Sequence, residues 1–160
     1  MNTNIKFFFI LFASVLCIGF TSCSSDDDDK DVAKDIVANY DGSLLGAAED
    51  PISTTIVIEH LSDNKVNLKL NQNIAGLPIN IACATDVAKK DGKYSLSGNT
   101  TTDLPLGANG ANVSIPVEVK GDVAIVANVK TAVINITVGN AALQAVVPVF
   151  PLTVYFTGTN

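Results

Sequence analysis

Ala132-Val133-Ile134-Asn135-Ile136-Thr137-Val138 is the stretch on which the fold turns. Ala132, Ile134, Ile136 and Val138 fall on one side of an extended chain, and Val133, Asn135 and Thr137 on the other. That is a period of two, the signature of a strand with one buried face. The same period recurs upstream. Val113, Ile115, Val117 and Val119 alternate with Ser114, Pro116, Glu118 and Lys120, and Tyr94 and Leu96 with Ser95 and Ser97. Ile79, Ile81, Cys83 and Thr85 alternate with Asn80, Ala82, Ala84 and Asp86, and Val66, Leu68 and Leu70 with Asn67 and Lys69. Residues 53–59 form a β-branched run in which Ile56 and Ile58 flank Val57. Strands with one apolar face belong to antiparallel sheets, since parallel strands covered on both sides read as continuous apolar runs. Short polar connectors at Ser62-Asp63-Asn64, Lys90-Asp91-Gly92 and Lys120-Gly121-Asp122 predict turns. Pro116 predicts an edge strand or a bulge, because proline cannot donate to a ladder. Only residues 32–37 and 140–147 have helical character, the second with Asn140 as N-cap. Both are too short to alter an all-β reading, and strand spacing of roughly 8–12 residues predicts a sandwich or a barrel.

The amino-terminal residues have a different character. Lys6 precedes an apolar run over residues 7–20, shorter than the roughly 20 residues needed to span a bilayer but suited to a secretory signal. Phe20-Thr21-Ser22-Cys23 resembles a bacterial lipobox. Residues 1–22 are therefore expected to be a lipoprotein signal peptide and Cys23 the lipidated first residue of the mature chain; Cys17 is preceded by bulky Leu16. Acyl chains on Cys23 would anchor the protein, each buried methylene contributing about 0.8 kcal/mol. Residues 23–35 read as a solvated acidic tether. Within it Ser25, Asp26, Asp27, Asp28 and Asp29 resemble the export signal that surface lipoproteins of Bacteroidota carry behind the lipidated Cys. The expected location is the outer membrane, lipid-anchored and facing outward from the cell.

Composition narrows the chemistry. The chain of 160 residues has 10 Lys, no Arg and 16 Asp plus Glu, for a net charge of −6. That balance argues against nucleic acid as a partner, which needs a basic face. From Ile36 onward seven Lys stand against ten Asp and Glu, so most of the acidity lies in the tether. Cys83 is the one Cys of the body, which leaves no intramolecular disulfide. It lies on the apolar face of its strand, where a thiol packs as a small hydrophobe. His60 is the only His, too little for a metal site, and reads as a surface residue. Glu59, Asp63, Asp103 and Glu118 read as solvated strand faces. No G-x-S-x-G elbow occurs, and Gly107-Ala108-Asn109-Gly110 has no helix behind it to cradle a phosphate. No catalytic residue, metal site or cofactor is predicted, and the chain is expected not to be an enzyme.

Four motifs carry a family resemblance. Tyr40-Asp41-Gly42-Ser43-Leu44 opens the body, Lys65-Val66-Asn67-Leu68-Lys69-Leu70 and Gly92-Lys93-Tyr94-Ser95-Leu96-Ser97-Gly98 follow, and Thr153-Val154-Tyr155-Phe156-Thr157-Gly158 closes it. Together they resemble the calycin-like (lipocalin-like) β-barrel lipoproteins of Bacteroidota over residues 36–160. The resemblance implies an antiparallel, mostly up-and-down β-barrel of about eight strands. Such an interior either holds one small ligand or is filled by side chains. If the small inward residues leave room, the ligand is hydrophobic or lipid-like, at residues the sequence does not specify. If Ile, Val and Leu fill the barrel, the domain is an interaction module that binds a glycan or a partner surface lipoprotein through residues 100–112 and 141–151.

Overall fold

Strands that each present one apolar face can bury all of those faces at once by closing into a cylinder, which also removes the exposed sheet edges. The computed structural model describes residues 31–46, 50–145 and 147–160. It shows a closed, antiparallel, up-and-down barrel of eight strands, as expected. These are β1 (Ala38–Leu45), β2 (Ile52–Ser62), β3 (Lys65–Ile74), β4 (Leu77–Lys90), β5 (Lys93–Leu104), β6 (Val113–Val126), β7 (Val129–Val138) and β8 (Leu152–Thr159). Each pairs with its neighbours in sequence, and β8 returns to β1.

Closure is made where two glycines meet. Gly42 on β1 pairs with Gly158 on β8. A Cβ on Gly42 would lie 2.0 Å from the Thr157 carbonyl oxygen, and one on Gly158 would lie 2.4 Å from the Phe156 ring. The glycines of the opening and closing motifs are thus required by the close approach of the two strands.

Three local expectations need correction. Lys120-Gly121-Asp122 is not a turn but lies inside β6, with Gly121 paired to Leu96 on one side and Ile134 on the other. A Cβ there would stand 2.5 Å from the Val133 carbonyl oxygen, so this glycine admits a neighbouring strand instead of reversing the chain. The reversal comes at Ala127-Asn128, both with positive φ. Pro116 marks neither an edge nor a bulge. It pairs with Thr101, and its carbonyl accepts from the Gly139 N–H at 2.8 Å. Its nitrogen faces the same side, beyond Val138 where β7 has ended, so the missing N–H costs the ladder nothing. Residues 100–104 belong to β5 rather than to a connector, which shortens that loop to residues 105–112. The helical expectations are met only by 3₁₀ turns, Val32–Ile36 and Ala141–Ala145. Asn140 does accept a bond from the Leu143 N–H, at 3.3 Å.

The alternation read from sequence is the burial pattern itself. Of β4, residues Ile79, Ile81, Cys83, Thr85 and Val87 point inward and their neighbours outward. The outward face of the barrel is mostly Asn, Thr, Ser, Lys and Asp with scattered Ala, Val133 and Tyr155, and the inward face mostly Ile, Val and Leu. This polarity is the reverse of a membrane-spanning barrel, whose lipid face is apolar. Among the described residues no helix is long and apolar enough to cross a membrane.

Candidate functional site

A small barrel offers three places for a site: its interior, its two ends and its outer wall. The interior is occupied by the protein's own side chains. Tyr40, Ile58, Leu68, Ile81, Val119, Ile134 and Phe156, from seven different strands, are each no more than 1% exposed, and Leu96 of β5 3%. A cavity able to admit a ligand would leave water-accessible surface on such residues, and they have none. Nor does the interior offer a polar handle of the kind that orients a bound molecule. The Tyr40 hydroxyl donates to the Ile36 carbonyl at 2.7 Å, Thr85 to the Cys83 carbonyl at 3.0 Å and Thr102 to the Asn80 carbonyl at 2.9 Å. Among the described residues no buried side-chain nitrogen or oxygen lacks a partner.

One end is stoppered by the Val32–Ile36 turn, whose Ala33 and Ile36 are fully buried. Residues 31–35, read from sequence as the end of the tether, belong to the compact unit Asp31–Asn160. Asp31 clasps the turn to the β2–β3 hairpin. Its Oδ1 accepts from the backbone N–H groups of Ala33 (3.1 Å) and Asn64 (3.2 Å), and its Oδ2 lies 2.6 Å from His60 Nε2 and 3.3 Å from Lys34 Nζ. Burial works against the Asp31 charge, but the bonds from His60, Asn64, Lys34 and Ala33 outweigh it and hold the carboxyl at about 2, below its ordinary 3.8. On the far side of the turn Asp35 Oδ2 accepts from the Tyr94 hydroxyl at 2.7 Å, with Lys89 Nζ 3.5 Å away and 4.8 Å above the Tyr94 ring. His60 thus joins an acidic partner that its sequence neighbours did not reveal. Its recorded bond serves the stopper, and no hydroxyl or thiol is bonded to its other ring nitrogen among the described residues.

The opposite end carries the loops of residues 105–112 and 139–151, neither of which contains a charged residue. Leu106, Leu143 and Val147 turn in against the core, and Phe150 is fully buried beneath them. What remains outward is uncharged and mixed: Ala141, Ala142, Ala145, Pro148 and Val149 are exposed, as is Val113 at the start of β6, and among them stand the exposed amides of Asn109, Asn112, Asn140 and Gln144.

On the outer wall lies a shallow depression of about 200 Å³, lined by Glu118, Lys120, Asn135, Thr137, Thr153 and Tyr155. Strand register explains it. Glu118, Thr137 and Thr153 stand side by side across β6, β7 and β8, and Lys120, Asn135 and Tyr155 form the next row. Short threonines lie between longer side chains, which gives the hollow. Tyr155 is the surprise: the other described aromatics, Tyr40, Tyr94, Phe150 and Phe156, are buried, whereas Tyr155 is 49% exposed. Its outward phase was readable from Val154 and Phe156 on either side, but nothing in the sequence placed it beside Asn135 and Lys120.

The remaining sequence assignments distribute as follows. Cys23 and the run Ser25, Asp26, Asp27, Asp28 and Asp29 lie outside the described residues. Cys83 is buried, its thiol pushed up by burial and turned to the Ala84 carbonyl at 3.6 Å. Glu59 pairs with Lys69 at 2.7 Å and Glu118 with Lys120 at 2.5 Å, both at the surface. Among the described residues no three His, Cys, Asp or Glu side chains converge as a metal site would require. No protein-family model matches the chain, nor does any curated protein or solved structure.

Proposed function

We propose that this chain is a lipid-anchored, non-catalytic recognition domain whose barrel is a solid support and whose contacts are made outside it. The observation that carries this reading is the filled interior: fully buried side chains from seven strands, with every buried side-chain nitrogen and oxygen of the described residues already bonded. Carriage of a hydrophobic molecule inside the barrel is the reading this packing opposes. It would require the stopper to leave and several large side chains to move, against the close packing of a protein core.

The contact surface is the end formed by residues 105–112 and 139–151. Uncharged loop tips that expose Ala141, Ala142, Ala145, Pro148 and Val149 beside the amides of Asn109, Asn112, Asn140 and Gln144 favour a protein partner, because exposed apolar side chains gain by being covered and the amides can bond a partner's backbone. That end lies across the barrel from Asp31. In this reading Cys23 carries the lipid anchor, and the run Ser25 to Asp29 serves as export signal and spacer. The motifs at residues 40–44 and 153–158 support kinship with the calycin-like lipoproteins through the glycines of the closing seam.

Two tests address this reading. Titrating the protein with a long-chain fatty acid should give no saturable one-to-one complex; a stoichiometric complex would show the barrel to be a carrier. Cys23→Ala should move the protein from the membrane fraction to the soluble fraction, and an unaltered membrane share would remove the lipid anchor.

A further inference from the structure

We propose that the depression on the outer wall of β6, β7 and β8 is a binding site for a single uncharged sugar ring, with Tyr155 as its stacking platform. The site is separate from the loop end and does not depend on what the loops contact.

This chain keeps nearly all of its described aromatics inside. Of five in the described body, four fill the barrel and only Tyr155 is placed on the wall. Strand register sets Tyr155 between Leu45 of β1 and Asn135 of β7, at the margin of the depression. Tyrosine has only two side-chain torsions, so little side-chain freedom is lost on binding.

Beside the ring the hollow carries both kinds of hydrogen-bonding group. Asn135 offers an amide with donor and acceptor, and Thr137 and Thr153 offer hydroxyls, at present 3.2 Å apart and bonded to one another. Glu118 and Lys120 close the rim as an ion pair at 2.5 Å, which leaves the site without net charge. Strand spacing fixes its size. Three strands span roughly 10 Å and two outward positions along a strand roughly 7 Å, a footprint for one ring and not for an extended polymer face.

A ligand for this surface must have an apolar C–H face for the phenol ring, hydroxyls in its own plane for the amide and threonines, and no charge. A pyranose has all three. A fatty acyl chain would cover the Asn135 amide without offering it a hydrogen bond, and an anion would meet Glu118.

The test is titration calorimetry on the full chain, in a detergent that carries no sugar, with maltotetraose, mannotetraose, chitotetraose and xylotetraose as probes. At least one should bind saturably at millimolar concentration. Tyr155→Ala should weaken that binding about three- to tenfold, the contribution expected of one aromatic contact, and Tyr155→Phe should retain it. Thr157→Ala, outside the hollow on the same strand, should also bind as the parent does. The inference is overturned if none of the four probes binds, if Tyr155→Ala binds unchanged, or if Tyr155→Phe loses as much as Tyr155→Ala. Complex formation with a fatty acid would instead contradict the filled barrel and leave this site in place.

Discussion

Asp31 joins more of the molecule than any other carboxylate described here. Its two oxygens hold the first turn, the β2–β3 hairpin and His60 together. Because its carboxyl is held at about 2 in the folded protein, against 3.8 for the free group, its contribution is present above the unfolded value. That contribution is lost as pH falls through the folded value, since the unfolded state then binds the proton more readily. Asp31→Asn should therefore lower the melting temperature at neutral pH. The gap between parent and variant should close between about pH 4 and pH 2. Melting curves across that range check it; a constant gap would show that the clasp acts through shape and not through charge. Nothing beside Asp31 in sequence announces this role. His60 and Asn64 lie 29 and 33 residues away, and an Asp following Asp29 and Lys30 reads naturally as the tail of a charged tether.

Hairpins show where local chemistry and barrel geometry diverge. Asp91-Gly92 has positive φ at both positions and carries residues suited to it. Ala75-Gly76 and Ala127-Asn128 adopt positive φ at both positions too, yet each begins with alanine, whose Cβ opposes that conformation. Ala75→Asn would create an Asn-Gly pair in a turn that already has the favoured geometry. It should raise unfolding free energy by about 1 kcal/mol, measured by urea denaturation; an unchanged or lower midpoint would show that Ala75 has a compensating contact. The same divergence accounts for what the sequence conveyed about the elements. Alternation is a property of each strand alone, so six of the eight inward faces, those of β2 to β7, could be read directly, and β1 and β8 through their motifs. Turns were legible only where the residues match the backbone. The strand containing Lys120-Gly121-Asp122 reads as a turn because glycine between charges looks like one. Only its neighbours in the barrel show that the glycine makes room for β7.

At the scale of the whole molecule, closure creates properties that no segment has. Eight apolar faces become one interior, and whether it is hollow depends on the summed volume of residues from all eight strands and the stopper. Sequence inspection left that balance open, since Ala and Val pointed to a hollow barrel and Ile and Leu to a filled one. Ile36, Tyr40, Phe150 and Phe156 weigh toward a filled interior, since each is no more than 1% exposed and position along a strand gives no hint of depth. The outer depression is likewise a product of register, made by residues from three strands that are up to 37 positions apart.

Native mass spectrometry of the full chain, isolated intact from the cells that make it, tests the filled barrel most directly. The account predicts one folded species whose mass equals that of the same polypeptide after denaturation. A folded species carrying an additional small molecule, lost on denaturation and recovered with Tyr155→Ala, would place that molecule inside the barrel and contradict the account.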